Sequence, residues 1–290
     1  MMQILQLSVN GLAAGCIYGL IALGFILIYK ATETLNFAQG DLMMLGAFIA
    51  VSLTVTLGLN YWLALLLAAL AMALFCYLLD ALILRRVIGQ PQFSVVMLTL
   101  GLGFVMRLAA GMIWGSSPLT LPTPFSVGVL RIGSLVISYV NAAAIVGTAI
   151  LCAVLYAFFR LTRVGVAMQA ASQNQLAAYY MGVPVPRINS LIWAISGAVA
   201  AVGGILLAPL TLVDTSIGQL GMKAFCAAVM GGFTSIPGAL VGGVLIGVIE
   251  QLASVYIASG AKEIAAYVVL LLVLLLMPRG LSSAARGKRV

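Results

Sequence analysis

The side chains that could do chemistry in this sequence are grouped where two long apolar runs are interrupted. The first interruption, NFAQGD, places Asn36, Gln39 and Asp41 within six residues. The second, GGFTSIPG at 231–238, combines a hydroxyl with residues that break helices. Amides, hydroxyls and a carboxylate can bind a polar solute transiently through hydrogen bonds, but no neighbouring base activates them as nucleophiles. From the second interruption we single out Gly231, Gly232, Ser235, Pro237 and Gly238.

Catalytic and metal-binding patterns are missing from the sequence. There is no histidine, no H-E-x-x-H or comparable pairing, and no G-x-x-x-x-G-K-[ST] phosphate loop. The four cysteines lie inside apolar runs without paired spacing, so we interpret them as small hydrophobic residues and expect no disulfide or metal site. The sequence predicts a chain that is not an enzyme and binds no cofactor. If ATP drives its activity, the nucleotide must bind another chain.

The composition is that of an integral membrane protein. Hydrophobic residues make up 64% of the chain and charged residues only 7%, against about 25% charged in a soluble domain. A transmembrane β-barrel would show alternating segments of about ten residues, whereas 62–84 is one long apolar run. The sequence therefore predicts an all-α, polytopic transmembrane helix bundle that forms a single domain over 1–290. Its net charge of +8 is spread between the apolar runs, which orients a chain in the membrane and does not indicate nucleic-acid binding.

Within a membrane, the two interruptions indicate a specific kind of structure. A broken helix at membrane depth is tolerated only where it is buried in protein or lines a cavity, and paired broken segments point to a transport pathway. We therefore expect both interruptions to border a translocation route. For NFAQGD an alternative stays open, because hydropathy places it near the inner rim, where it could be a plain interfacial turn.

Eight apolar segments are candidate spans. The segment 222–257 has 36 residues and would form a helix of roughly 54 Å, too long for a hydrocarbon core of ~30 Å. We expect GGFTSIPG to split it into 222–231 and 238–257. Basic clusters follow the third, fifth and last spans, so an external N-terminus and nine crossings satisfy the positive-inside rule, whereas eight crossings would leave the basic tail outside. The candidates are 8–29, 41–58, 61–84, 94–114, 139–159, 188–208, 222–257 and 263–278.

Local patterns add two structural predictions. In the outer loop 115–138, two short apolar runs around Gly133 and Ser134 are typical of a tight β-hairpin, although an irregular loop is an equal alternative. Glycines recur every four residues and predict helices that pack at close range, because small residues let two backbones approach each other. These sets are Gly11, Gly15 and Gly19; Gly238 and Gly242; and Gly243 and Gly247.

Two charges, Arg107 and Glu250, lie well inside apolar spans. Counted at 1.5 Å per residue, both are roughly 10–12 Å below the outer ends of their helices. A charge in lipid is costly and usually finds a partner inside the bundle. We therefore predict that they approach each other, directly or through a polar cavity, and form a gate pair that stabilises one gate state. The alternative is that Arg107 reaches the outer interface and Glu250 bonds to a hydroxyl or backbone group.

Both interrupted segments carry a resemblance to a known family. LNFAQGDLMMLGAF (35–48) and KAFCAAVMGGFTSIPGALVGGVLIGVIE (223–250) resemble the permeases of branched-chain amino-acid ABC importers, and the likeness runs over nearly the whole chain. The resemblance implies a permease subunit of the bacterial cytoplasmic (inner) membrane that works by alternating access. It also implies several partners: a homologous second permease subunit, two cytoplasmic ATPase subunits that hold ATP and Mg, and an extracytoplasmic solute-binding protein.

The internal loop 162–187 resembles the cytoplasmic coupling segment of such permeases. The family pattern is an acidic residue, two alanines, three variable positions and a glycine. Ala177, Ala178 and Gly182 match it, whereas Leu176 stands at the acidic position. The resemblance implies that these residues, together with Gln173, contact an ATPase. The residues themselves predict a short helix that ends at Gly182 in a left-handed cap, and an ordinary amphipathic interfacial helix is the alternative.

A second function of a different class is a stand-alone secondary transporter or channel for small polar solutes such as urea or amides. Coupling to protons would need a titrating group within the membrane, and Glu250 and Asp41 are the candidates. The sequence leaves the substrate open, because in importers of this kind the binding protein supplies much of the selectivity.

Overall fold

The structure is a computed structural model that describes residues 2–87, 90–126, 128–132, 135–233, 235–258 and 260–277. These residues form an all-α bundle with one small hairpin, as the composition predicts. The helices are α1 (Met2–Thr32), α2 (Gln39–Val51), α3 (Tyr61–Leu82), α4 (Gln92–Trp114), α5 (Tyr139–Leu161), α6 (Arg163–Gln173), α7 (Gln175–Tyr180), α8 (Val185–Leu207), α9 (Leu220–Gly231), α10 (Ile236–Tyr256) and α11 (Ala261–Leu276). A π-helical turn, Ser52–Thr56, extends α2, and 3-10 turns cover Leu84–Arg86 and Ile217–Gln219.

Seven of the described helices are long and apolar enough to cross a membrane, which makes the chain a polytopic membrane protein. They are α1, α2 with its π-helical extension, α3, α4, α5, α8 and α10. The 12 residues of α9 and the 16 residues of α11 give lengths of roughly 18 and 24 Å, both shorter than a hydrocarbon core of ~30 Å.

The centre of the bundle is the contact between α1 and α10, which is the most extensive between any two described elements. Glycines make it possible. A Cβ built on Gly11 would lie 2.7 Å from the carbonyl oxygen of Gly247, and one on Gly15 would lie 2.6 Å from that of Gly243. Real Cβ atoms do not approach backbone so closely, so only glycine fits at these positions. The predicted glycine packing is confirmed.

The second glycine face of α10 packs against α9. Gly238 meets Gly231, and Gly242 meets the backbone of Ala227, so the two helices are antiparallel and in close contact. Between them the chain reverses at Gly232, which has a positive φ of 86°, a conformation that glycine adopts without strain. The Ser235 hydroxyl then accepts a hydrogen bond from the Gly238 amide (3.1 Å) and caps α10. The predicted split of the long segment is confirmed.

The loop between α4 and α5 contains the predicted hairpin. Strands β1 (Val129–Ile132) and β2 (Leu135–Ser138) pair antiparallel, with Val129 opposite Ser138 and Ile132 opposite Leu135. The turn residues Gly133 and Ser134 lie outside the described part of the chain. Ser138 also caps α5 by accepting a hydrogen bond from the Val140 amide, so the hairpin leads directly into the next helix.

Candidate functional site

The NFAQGD segment lies inside the bundle and not at its rim. Asn36 is 1%, Gln39 0% and Asp41 5% exposed. The chain leaves α1 beside the start of α4, where Gln92 donates to the Glu33 carbonyl (3.4 Å), and by Phe37 it has reached the Thr99 hydroxyl (3.3 Å). Seven residues of helix separate these two contacts, a climb of about 10 Å along α4. Residues 33–38 are therefore a non-helical stretch that leads back into the bundle, and the second half of NFAQGD forms the first turn of α2.

Gln39 is the centre of a buried hydrogen-bond cluster. Its Oε1 atom accepts from the Asn36 amide (3.2 Å) and lies 3.2 Å from the Ser196 hydroxyl of α8. The same hydroxyl lies 3.1 Å from the Gly24 carbonyl of α1. The glycine at position 24 leaves room for the Gln39 side chain, because a Cβ there would overlap its amide in this position. The cluster joins three helices at the first break. Ser196 could not be identified beforehand, because a single hydroxyl within an apolar helix does not indicate its partners.

Asp41 forms an ion pair with Arg107. Both Nε (3.1 Å) and one terminal nitrogen (2.9 Å) of the guanidinium donate to Oδ1 of Asp41. The carboxylate fits because Gly103 and Gly218 flank it: a Cβ on either glycine would lie 2.5–2.6 Å from a carboxylate oxygen. Asp41 is also in the first turn of α2, where the free backbone N–H groups favour a negative charge.

Glu250 has different partners. Lys223 of α9 lies 3.1 Å from its Oε1, in an ion-pair contact without the alignment of a hydrogen bond, and the Tyr18 hydroxyl donates to its Oε2 (3.0 Å). Lys223 also lies 3.2 Å from Glu263, at the start of α11. Glu250 and Lys223 are 1% and 3% exposed. This second charge cluster ties together α1, α9, α10 and α11.

The predicted gate pair between Arg107 and Glu250 is therefore wrong as a direct contact, since each residue pairs with another charge. The two residues lie on helices with different neighbours: α4 packs against α2, whereas α10 packs against α1, α9 and α11. Depth along a helix, on which the prediction rested, does not determine which way a side chain points. Each charge is neutralised by a closer opposite charge, and one of these partners, Lys223, was overlooked because it stands at the very start of an apolar run.

The two breaks are linked by aromatic rings. Phe37 of the first break packs against Phe225 of α9, with ring centroids 5.3 Å apart, and Phe225 packs against Phe233 of the second break at 5.7 Å. Phe233 also contacts Tyr29 near the end of α1 at 4.9 Å. Pro237, at the start of α10, lines a cavity of about 450 Å³ between α1 and α5. The structure thus brings both interrupted segments together around the C-terminal half of α1.

The loop 162–187 contains α6 and α7. Asn174 caps α7 by accepting a hydrogen bond from the Ala177 amide (2.9 Å). The helix ends at Gly182, whose φ is 83°, and the Val183 amide donates to the Ala178 carbonyl (3.0 Å). The predicted left-handed cap is confirmed. Ala178 is buried, whereas Ala177 and Gly182 are exposed, and Gln173 lines a cleft of about 780 Å³ that also contains Lys30 and Glu33.

A third polar cluster, next to α7, was missed by the sequence reasoning. Asp80 of α3 is completely buried, and its Oδ2 accepts a hydrogen bond from the Ser190 hydroxyl (2.6 Å). Arg85 in turn donates to that hydroxyl (2.6 Å) and to the Pro186 carbonyl (3.1 Å). The cluster fastens the end of α3 to the beginning of α8. An aspartate inside the apolar run 62–84 was the available signal.

Comparison with known proteins gives this arrangement a family. The model of the branched-chain amino acid transport system permease component matches residues 7–278. The chain belongs to this family. It is 30% identical to the high-affinity branched-chain amino acid transport system permease protein LivH of Salmonella typhimurium, over 99% of this chain and 97% of the relative. It is 33% identical to BraD, the corresponding protein of Pseudomonas aeruginosa, over 99% and 98%.

A more distant relative is the fructose import permease protein FruF of Bifidobacterium longum, 29% identical over 81% of this chain and 66% of that protein. The family membership and the seven apolar helices make this permease a multi-pass protein of the cytoplasmic membrane and a transport component, not an enzyme.

Proposed function

We propose that this chain is the membrane permease subunit of an ATP-driven importer that moves branched-chain or related amino acids by alternating access. The observation that carries the proposal is the family match over residues 7–278. The names of two relatives that align over 99% of this chain, LivH and BraD, supply the substrate class. Its partners are a second permease subunit, two ATPase subunits that bind ATP and Mg, and an extracytoplasmic binding protein.

The translocation route in this proposal passes the two breaks. Asn36, Gln39 and Asp41 supply hydrogen-bonding groups from one side, and the reversal between Gly231 and Gly238 supplies backbone outside a continuous helix from the other. Irregular backbone within a membrane protein is stable only where protein or a cavity surrounds it. The buried Gln39 cluster and the ring contacts between the breaks support a route that is closed in this conformation.

Cysteine labelling during transport tests the route. In a background without the native cysteines, Asn36→Cys and Ser235→Cys should react with a water-soluble thiol reagent in at least one state of the ATP cycle. Ala22→Cys, in the buried core of α1, is the matched control and should stay unreactive. If both test positions are unreactive in every state, the breaks do not border the route.

The ATPase contact in this proposal is α7. Its exposed residues are unusually large and apolar for a helix end: Leu176, Tyr179, Tyr180 and Met181 are 66–85% exposed. Together with Ala177 they offer a surface for a partner, while the buried Ala178 anchors the helix to the bundle. Cross-linking from Ala177→Cys should reach an ATPase subunit, and a complex in which α7 remains in solvent would contradict the assignment.

The proposed topology has nine membrane segments. They are the seven full-length helices together with α9 and α11, with the N-terminus outside and the C-terminus inside. This arrangement puts the arginines that follow α3 and α5 on the cytoplasmic side, as the positive-inside rule requires. Reporter fusions at the two termini should report opposite sides of the membrane. Two termini on the same side would refute an odd number of membrane crossings.

Reconstitution separates the proposal from a stand-alone transporter. A proteoliposome with the permease pair, the ATPases and the binding protein should take up leucine only when ATP is supplied. Uptake by this chain alone, without ATP, would instead support a secondary transporter or channel for solutes such as urea. Fructose belongs in the same assay as a probe, because a fructose permease is among the relatives.

A further inference from the structure

The Asp41–Arg107 pair differs from the other membrane-embedded ion pair in one respect: it is open. Arg107 keeps 30% of its side chain exposed and Asp41 keeps 8%, whereas Lys223 and Glu250 keep 4% and 1%. Arg107 is seven residues before the end of α4 and fifteen after its start, so roughly 10 and 22 Å of helix lie on either side. Charged residues at such depth commonly line a water-filled cavity or a substrate path, which makes this accessible pair a candidate for one.

The pair also has hydrogen-bonding groups that are not used within it. Both hydrogen bonds from Arg107 end on Oδ1 of Asp41. Among the residues that the structure describes, the other terminal nitrogen of Arg107 and the other carboxylate oxygen of Asp41 have no hydrogen-bond partner. The pair therefore keeps one donor group on Arg107 and one acceptor oxygen on Asp41 without a partner among these residues. In the Lys223–Glu250 cluster, Tyr18 and Glu263 already occupy the corresponding positions.

We propose that Asp41 and Arg107 form a transient binding site for the zwitterionic head of an amino acid on its way through the permease. The α-carboxylate binds the free side of the Arg107 guanidinium, and the α-ammonium group binds the free oxygen of Asp41. The proposal rests on the proposed function as an amino-acid importer. It identifies where the permease recognises the zwitterionic group that amino acids share.

Charge balance favours this class of ligand. The pair has no net charge, and neither does a zwitterion, so binding creates four alternating charges and leaves no excess charge in the membrane. A cationic or anionic solute would leave one, at the cost of burying it. An uncharged solute gains only neutral hydrogen bonds, which are roughly half as strong as charge-assisted ones.

The surroundings also suit a temporary partner. When the guanidinium turns to the ligand carboxylate, Asp41 remains stabilised by the first turn of α2 and by the ligand ammonium group. Gly103 and Gly218 leave room for the carboxylate. Phe104, whose ring centre is 5.8 Å from the guanidinium carbon, is 61% exposed and presents an apolar surface for an aliphatic side chain.

The test uses the complete importer in proteoliposomes and leucine as the zwitterionic probe. Leucine uptake and the ATP hydrolysis stimulated by the loaded binding protein are measured for Asp41→Asn, Arg107→Gln and the double variant. We expect uptake to fall about 10- to 100-fold in all three, the equivalent of one lost charge-assisted hydrogen bond, while stimulated hydrolysis continues. Hydrolysis is also the evidence that each variant folds and assembles.

The double variant distinguishes a binding site from a purely structural ion pair. If the pair is merely structural, removing both charges leaves no orphan charge, and uptake should return to the wild-type rate. That recovery would overturn the proposal. The Lys223→Met/Glu250→Gln variant is the matched control, and we expect it to transport leucine at close to the wild-type rate once it is assembled.

Two further results complete the test. If the neutral variants do not assemble, Arg107→Lys keeps the charge but loses the planar fork that holds two partners at once; we expect at least about 10-fold lower uptake, and wild-type uptake would overturn the proposal. A wild-type importer that takes up no leucine overturns the proposed function and this site with it. Leucine uptake that is insensitive to all three substitutions overturns the site alone.

Discussion

Replacing Gly15 by alanine should destabilise the permease, because the added Cβ has nowhere to go. It would lie 2.6 Å from the Gly243 carbonyl oxygen and 2.7 Å from the Val244 Cα, both backbone atoms that cannot rotate away. The first distance is about 0.8 Å short of ordinary van der Waals contact at 3.4 Å. Relief requires α1 and α10 to separate by a similar amount, and overpacking of this kind costs about 1–3 kcal/mol.

The assay is thermal unfolding of the purified permease in detergent. For a chain of this size each kcal/mol corresponds to about 2–4 °C, so Gly15→Ala should lower the midpoint by about 2–12 °C. Gly101→Ala is the matched control: it makes the same change within the helix α4, and a Cβ there meets nothing within 4 Å. Both variants gain the same helix propensity, so their difference isolates the clash. Equal midpoints for the two variants would refute the reasoning.

Two further predictions concern buried charge. Lys223→Met should lower thermal stability by about 3–5 kcal/mol, because it leaves Glu250 without a counter-charge; Lys223→Met/Glu250→Gln should recover most of the loss, and no recovery would mean that packing, not charge, matters there. Ser190→Ala should cost about 1–3 kcal/mol by removing the hydrogen-bond donor to Asp80, whereas Ser190→Thr retains the hydroxyl. If the alanine and threonine variants have the same unfolding midpoint, the hydroxyl does not stabilise Asp80.

The features that sequence could predict are those set by local backbone chemistry. Gly232 readily adopts the positive φ that ends α9, and Pro237 is tolerated in the first turn of a helix but not in its interior, so the reversal between α9 and α10 follows from residue type. Gly182 ends α7 for the same reason, and the four-residue spacing of Gly11 and Gly15 predicts a close helix contact without naming the partner. None of these inferences requires knowledge of how the helices are arranged around one another.

The contacts within the site were not predictable in this way. Arg107 and Glu250 were paired from depth alone, but pairing depends on helix rotation and on which helices are neighbours. The true partner of Arg107 is 66 positions away in the sequence, and no local pattern connects the two. Asp80 and Ser196 illustrate the same difficulty: a single polar residue in an apolar helix has no identifiable partner until the bundle is assembled.

Three of the six acidic residues, Asp41, Asp80 and Glu250, are buried in this bundle, and this has a consequence for biogenesis. Helices emerge from the ribosome in order. Asp41 precedes Arg107 by 66 residues, and Asp80 precedes Ser190 by 110. During that interval each aspartate is without the partner it has in the finished protein. An unpaired aspartate costs up to about 2.5–3.5 kcal/mol on insertion scales at the centre of a helix, and less in an end turn, where Asp41 and Asp80 stand.

We therefore expect α2 and α3 to be less stable in the membrane until later helices arrive. Nascent chains that end before α4 should keep α2 within reach of the insertion machinery, whereas chains that extend past Arg107 should release it to the lipid. Glu250 has no such delay, since Lys223 is synthesised before it. The order in which charges appear along the chain thus sets the order in which the helices of this permease become stable in the membrane.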